Sequence, residues 1–269
     1  MSSDVRSADA TVGRSMPRIR WHSLVGSAVL PVLSLGLSIV IWEVAVRVTD
    51  SSALLPPPTE VLMAARELWE SGVLQEGILW STRRALLGFA VGASLAVVIG
   101  LLTGRVALLR ILLQPLIQVL RPIPALAWVP ISILWFGVGE SPKIFIIALG
   151  VFFPVWLSTH LGVGSTPAIY LEVARTLGVP RWATLVRVTL PAALPHIISG
   201  LRVAFALAFI LLVAAELTGT SVGLGAIISQ ASLVYRPDRM FVGMLCLGIL
   251  GAVIDQLLTR AVRRLNYWE

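Results

Sequence analysis

Apolar residues fall into long runs separated by short polar breaks, and the run lengths set the architecture. A bilayer core takes about 20 residues of apolar helix. Residues 24–42 are uncharged, and the run continues to residue 48 with Glu43 and Arg47 near its far end. A first span is predicted over about 24–48. Residues 49–82 are polar by comparison, with Asp50, Glu60, Glu67, Glu70 and Glu76 against Arg66. Inside that segment Leu55-Pro56-Pro57-Pro58 excludes a helix, because three successive prolines lack N–H donors and clash with a helical turn. Residues 59–69 then carry Val61, Leu62, Ala65 and Leu68 at helical spacing, which predicts a helix lying at the surface. Residues 85–104 are uncharged and make the second span. Its Gly88, Gly92, Gly100 and Gly104 recur at multiples of four, the spacing that lets two helices pack closely. Residues 108–120 are apolar, Arg121 interrupts, and residues 122–139 are apolar again. Clean runs follow at 144–163, about 197–217, and 240–258 with Asp255 low in it. Residues 218–238 are rich in Gly and Ser, with a short helix predicted at 224–233.

The polar interruption between the fourth and fifth runs is the most structured break in the chain. Thr166-Pro167 is a helix-start signal, a hydroxyl at the cap and proline at the first helical position. Ile169, Val173 and Leu177 follow at i, i+4 and i+8, an apolar stripe on one face. Glu172 and Arg175 fall on other faces. Gly178 supplies a stop, since helices commonly end in a left-handed residue that glycine adopts at little cost. Pro180 restarts a helix with Trp182, Leu185 and Val186 on one side, and Leu190-Pro191 closes it. Two short helices with a sharp corner are predicted within a loop over 165–195.

The crossing number around Arg121 decides which side this loop occupies. Cytoplasmic loops carry an excess of arginine and lysine. If residues 108–136 cross once, as a single broken span, the inside holds Arg6, Arg14, Arg18, Arg20, Arg105, Arg110, Arg175, Arg181, Arg187, Arg260, Arg263 and Arg264. The outside then holds Arg66, Lys143, Arg236 and Arg239, with Arg83 and Arg84 at a boundary. The break falls at Arg121-Pro122-Ile123-Pro124, and discontinuous helices are tolerated only where they are buried in protein or line a cavity. The expected fold is an all-α membrane protein. It has a cytoplasmic tail over 1–22, a transmembrane domain over 23–264 with six helices, and a cytoplasmic end at 265–269. No A-x-A pattern ends the first run, so it reads as an uncleaved span.

Composition agrees: 57% of the 269 residues are hydrophobic and only 13% are charged, with mean hydropathy +0.89, against about 25% charged in soluble domains. The net charge of +7 sits beside apolar runs, which fits topology control and not nucleic-acid binding. Cys246 is the single cysteine, so there is no disulfide framework and no thiolate metal site. His22, His160 and His196 are scattered, with no second metal ligand at a useful spacing. No nucleophile–base motif is present, and no catalytic residue or metal ligand is assigned. The one lysine is Lys143, in Ser141-Pro142-Lys143, and a phosphate-binding loop needs G-x-x-x-x-G-K-[ST]. If transport is ATP-driven, the ATPase is another chain, and this one binds no cofactor itself.

Glu172, Ala174, Gly178, Leu190 and Pro191 match at full spacing the E-A-A-x3-G-x9-I-x-L-P loop of membrane subunits of bacterial ABC importers, with Val173 and Val188 as mild departures. The chain resembles that family over nearly all of its length after residue 20. Leu55-Pro56-Pro57-Pro58-Thr59-Glu60-Val61 resembles an L-P-x-P-x-x-V segment. Residues 120–127, Ile133-Leu134-Trp135-Phe136-Gly137 and Lys143-Ile144-Phe145 are similar to the nitrate/sulfonate/taurine group, above all to aliphatic sulfonate permeases. The resemblance implies a type I importer permease fold with a cytoplasmic coupling-helix loop. It implies a multi-pass subunit of the bacterial inner membrane, with both termini in the cytoplasm, working as a homodimer. Two ATPase subunits carrying ATP and Mg would couple through Glu172, Ala174, Leu177, Gly178, Trp182, Leu190 and Pro191, and an extracytoplasmic binding protein would deliver the solute. That solute would be a small oxyanion, an aliphatic sulfonate first, with taurine, nitrate, bicarbonate or a pyrimidine precursor also carried by related members.

Ionisable residues within spans are costly and face a cavity or a partner. Arg121, Pro122, Pro124 and Glu216 are candidates for the translocation path. Two readings of Arg121 stay open. Its guanidinium draws an oxyanion into the path, or it pairs with Glu43 or Glu216 to hold the bundle. Arg202 snorkels to the inner surface or touches the loop. The alternative function is a carrier driven by an ion gradient. It predicts mid-span carboxylates and an internal repeat; the former are nearly missing and no repeat is evident. A lipid-modifying enzyme predicts an Asp- or His-rich cluster, which is absent, and a pure scaffold leaves the spaced 172–191 motif without a purpose.

Overall fold

The structure is a computed structural model that describes residues 29–49, 54–217 and 219–265. The predicted tail over 1–22, His22, the start of the first span at 24–28, Asp50 and the last residues 266–269 lie outside it. The regular structure among the described residues is all helical, with no strand among them. α1 (Val29–Thr49), α2 (Pro58–Glu70), α3 (Val73–Arg105) and α4 (Ala107–Leu120) come first, then a 3-10 turn (Ala125–Trp128) leading into α5 (Val129–Phe136). α6 (Glu140–Gly164), α7 (Ala168–Thr176) and α8 (Arg181–Thr184) follow. A π turn (Leu185–Thr189) then joins α8 to α9 (Leu190–Leu217), and α10 (Leu224–Leu233) and α11 (Pro237–Leu265) complete the chain. Four helical stretches are each long and apolar enough to cross a bilayer: Val73–Arg105, Glu140–Gly164, Arg181–Leu217 and Pro237–Leu257. Counting α4 with 125–136 as one bent span makes five. α1 supplies 21 further helical residues over the described part of the predicted first span.

The core is built from α3, α6 and α9, and small residues let their backbones meet. A Cβ on Gly88 would stand 2.6 Å from Ile147, one on Gly100 2.6 Å from Thr159, and one on Gly104 2.6 Å from Val163. A Cβ on Gly92 would run into the Ala148 backbone itself. Gly200 answers on α9, where a Cβ would come 2.5 Å from Ser158 of α6. The spaced glycines of the second span thus form one seam with α6, as in membrane helices that lack a hydrophobic drive to associate and rely on close packing. Trp156 and Phe205 are buried in this core. The Trp156 indole N–H donates to Thr103 Oγ1 at 3.2 Å, and its ring stacks on His160.

Three helix boundaries differ from expectation, each for a physical reason. The helix that carries the second span begins at Val73, ahead of the uncharged stretch at 85–104, because the Arg84 charge is paired inside the bundle. The break at 121–124 falls where it was expected, with a bend of 91°. Pro122 and Pro124 remove two donors there, and Pro124 adopts an extended ψ of 135°. The expected first helix of the loop begins one residue late. Pro167 is the cap (ψ 131°), and the Thr166 hydroxyl, named above as the cap, is buried without a hydrogen-bond partner. The third difference is at Leu190-Pro191, which does not close a helix. The Leu190 N–H donates to Leu185 O, five residues back, so the helix widens into a π turn ahead of the proline that has no N–H to give. Helix therefore runs without a stop from Arg181 to Leu217, and the span expected over 197–217 is the far part of a 37-residue rod.

Candidate functional site

The α7–α8 corner is a compact, double-bonded turn. Gly178 stands at φ +68°, where an L-residue pays for its Cβ. Its N–H donates to Arg175 O at 3.0 Å, and the Val179 N–H reaches back to Ala174 O at 2.9 Å. These are the two bonds of a Schellman cap, which satisfy the last carbonyls of α7. Pro180 then extends the chain (ψ 149°) and α8 begins. Ala174 is buried against the body of the protein, while Ile169, Tyr170, Val173, Leu177 and Trp182 are exposed, Leu177 at 74% and Trp182 at 73%. These side chains form an exposed apolar stripe on a capped element.

The predicted loop residues thus divide. Glu172, Leu177, Gly178 and Trp182 are exposed; Ala174 is buried. Leu190 is half-buried and Pro191 exposed, both within the long helix and not at a corner. The Glu172 carboxylate makes no hydrogen bond or ion pair among the described residues, though its backbone carbonyl accepts from Thr176 Oγ1 at 3.0 Å, and Arg202 is likewise exposed.

The predicted path residues do not form one site. Arg121, Pro122 and Pro124 are exposed at the 91° bend. Arg121 has no ion-pair partner among the described residues. Its suggested partners are taken. Glu43 accepts from Arg47 at 2.6 Å and from Thr59 at 3.0 Å. Glu216 is fully buried. Its carboxylate accepts from Arg84 Nη1 at 2.7 Å, from Ser81 Oγ at 2.7 Å and from the Gly225 N–H at 2.8 Å.

The pairing of Arg84 in that cluster was not read from the sequence, where it stood at a span boundary. Arg84 is only 2% exposed and grips two carboxylates. Its Nε and Nη2 bind Glu140 at 2.5 and 2.8 Å while Nη1 serves Glu216 and the Val222 carbonyl. Lys143 adds a bond to Glu140 at 3.1 Å, and Ser81 Oγ accepts the Leu224 N–H at 2.9 Å. Two cations and two carboxylates so tie α3, α6, the end of α9 and the start of α10. A Cβ on Gly223 would lie 2.6 Å from Arg84, and one on Gly225 2.6 Å from Glu216. The signal in the sequence was that pair of glycines flanking Leu224, which leave room for buried charge.

Among the described residues no group of three His, Cys, Asp or Glu side chains is placed to hold a metal ion.

Comparison with known proteins agrees with this geometry. Residues 96–267 match the family described as "Binding-protein-dependent transport system inner membrane component". The chain is 36% identical over 262 residues to the aliphatic sulfonates transport permease protein SsuC of Bacillus subtilis, covering 97% of this chain and 94% of that one. It is 32% identical over 261 residues to the taurine transport system permease protein TauC of Escherichia coli, covering 94% of each. Among solved structures, an inward-facing form of the MetNI methionine ABC transporter superposes with a TM-score of 0.62 at 20% identity. That match covers 71% of this chain and 95% of the other, and supports the fold alone.

Proposed function

The chain belongs to the family of binding-protein-dependent transport system inner membrane components, and from that premise we propose that it is the multi-pass permease subunit of an ATP-driven importer for a small sulfonate. The observation that carries the proposal is the α7–α8 corner, an exposed apolar stripe on a rigid cap at one end of a membrane bundle. The corner docks into an ATPase subunit on a separate chain, which holds ATP and Mg. A second copy of the permease completes the path, and an extracytoplasmic binding protein delivers the solute. Both termini lie in the cytoplasm, on the corner's side.

The long helix gives the corner its leverage. Thirty-seven residues span about 55 Å at 1.5 Å per residue. One end carries α8, and the other ends beside Glu216 in the buried charge cluster. Closure of the ATPases pushes the corner. The helix carries that push as a rod to Glu216, and Arg84 passes it to α3 and α6. The permease pair then rocks from inward-open to outward-open.

Sulfonate is favoured because two relatives are named for aliphatic sulfonates and taurine, both with an –SO3 head. The exposed, unpaired Arg121 at the bend of the broken span suits such a head, since a guanidinium presents a planar fork of donors to oxyanions. Nitrate is the second candidate on the same ground. Glu172 is proposed to pair with an ATPase arginine.

The test is ATPase activity in liposomes holding this chain and the ATPase encoded beside it, with binding protein loaded in turn with an alkanesulfonate, taurine or nitrate. Stimulation by a loaded sulfonate form, lost on Glu172→Arg, is the expected result. Failure of the chain to co-purify with any ATPase would overturn the importer reading and favour a gradient-driven carrier. Unchanged stimulation in Glu172→Arg would remove only the charge pair.

A further inference from the structure

A cleft of about 700 Å3 opens beside the corner, between the loop and the end of α3. Its wall contains Arg105, Arg175 and Arg181, with Val106, Trp182 and Leu185 between them. The three arginines come from three helices. Among the described residues none of their guanidiniums is in an ion pair or hydrogen bond, and no carboxylate lines the cleft. Three uncompensated charges around one concavity repel each other, and an anion placed among them relieves that repulsion. The carbonyl end of α3, which would oppose an anion, is already covered. Arg110 donates to Thr103 O at 3.2 Å and to Gly104 O at 2.7 Å.

We propose that this cleft binds the phosphate of an acidic phospholipid headgroup. Depth supports the choice. Residues 85–104 are uncharged, 20 residues or about 30 Å of helix, the thickness of the hydrocarbon core. Arg105 follows directly, so it stands where the lipid phosphates lie. Basic pockets between membrane helices on the cytoplasmic side hold acidic headgroups in this way. Trp182 suits the same layer, where indoles are enriched. Just past the cleft, Leu108, Ile111 and Leu112 of α4 are exposed and offer a track for the acyl chains, which free phosphate and a protein carboxylate do not need. Ile169, Val173 and Leu177 of the corner's apolar stripe are no part of the cleft wall and stay open to the ATPase, while Trp182 stands where the two faces meet. The inference stands apart from the choice of transported solute.

The test uses the purified permease–ATPase complex, delipidated in detergent, with bound lipid counted by native mass spectrometry. Phosphatidylglycerol, phosphatidylcholine and inorganic phosphate are added separately. Phosphatidylglycerol is expected to be retained over phosphatidylcholine and to resist displacement by phosphate. Each Arg→Gln change at 105, 175 or 181 is expected to weaken retention about fivefold, and the triple change about a hundredfold. The triple Arg→Lys variant, which keeps the charge, retains the lipid and controls for folding. Equal retention of phosphatidylcholine, displacement by inorganic phosphate, or full retention by the triple Gln variant would each overturn the proposal. So would loss of the ATPase subunit from that variant at unchanged lipid count, which would assign the arginines to a protein contact.

Discussion

Substitution at Gly178 separates backbone geometry from partner contact. Its φ of +68° lies in the left-handed region, and a Cβ built there meets nothing within 4 Å. A side chain at 178 therefore strains the backbone without a collision inside this chain. The strain is about 1–2 kcal/mol for an ordinary L-residue, less for Asn, which visits this region readily, and more for a β-branched one. The bonds from Gly178 to Arg175 and from Val179 to Ala174 form only in that conformation. A cost of about 1–2 kcal/mol is a factor of roughly 5–30 in population. If only the closed corner docks, the apparent affinity for the ATPase falls by up to the same factor. The series Gly178→Asn, Gly178→Ala and Gly178→Val is thus expected to bind the ATPase with decreasing affinity, Asn close to the parent. Binding to the detergent-purified permease measures it, with the melting temperature recorded alongside. The melting temperature should hold, because Gly178 is exposed and outside the packed bundle. Equal losses for Asn and Val would refute the backbone argument and point to bulk in the partner's groove. A melting temperature falling in step with affinity would show that the corner belongs to the fold.

Three other perturbations bear on the bundle. Gly92→Val drives a side chain into the Ala148 backbone and should lower stability by about 3 kcal/mol or more, read as melting temperature, while Gly248→Val, with open space around it, should be silent. Glu216→Leu leaves Arg84 short of a carboxylate inside the protein and should cost about 3–5 kcal/mol. The Arg84→Met, Glu216→Leu double variant should recover part of that loss, since Glu140 keeps Lys143; a double variant as unstable as the sum of the singles would show the two charges to be uncoupled. Tyr235→Asn should stabilise by about 0.5–1 kcal/mol, because Tyr235 holds φ +53° with its side chain 91% exposed, a strain that packing does not offset.

Features written in neighbouring residues were legible before the structure. α10 has the expected bounds 224–233, α2 differs from 59–69 by one residue at each end, and the break at 121–124 sits on its two prolines. Each rests on a local cause, either run length or a missing donor. The start of α3 and the buried cluster rest on distant ones. Arg84 reads as the polar end of a span until Glu140 and Glu216 are known to face it, and they lie 56 and 132 positions away. At the loop the Gly178 stop was legible, the start was misplaced by one residue, and the exit was not legible. Pro191 has no N–H, and that predicts a stop only when the helix must keep its α register.

The π turn ahead of Pro191 sets the direction in which the corner points. A turn bonded to the fifth residue back holds one residue more than an α turn. Each residue of a regular helix turns the chain by about 100°, so an α-helical path through Leu185–Thr189 would rotate the α7–α8 corner by about that angle against the bundle. The corner is also joined to α6 through the short link at 165–167, which fixes its other end. Pro191→Ala restores a donor but leaves both anchors in place, so the π turn should persist and ATPase binding should hold. Deletion of Val186 removes the additional residue. The bundle beyond Leu190 should keep its packing and melting temperature, while the exposed stripe of Ile169, Val173 and Leu177 turns away from the partner and ATPase binding is lost. Normal binding by the deletion variant would show that the corner finds its partner whatever its azimuth, and the long helix would then be a tether and not a lever.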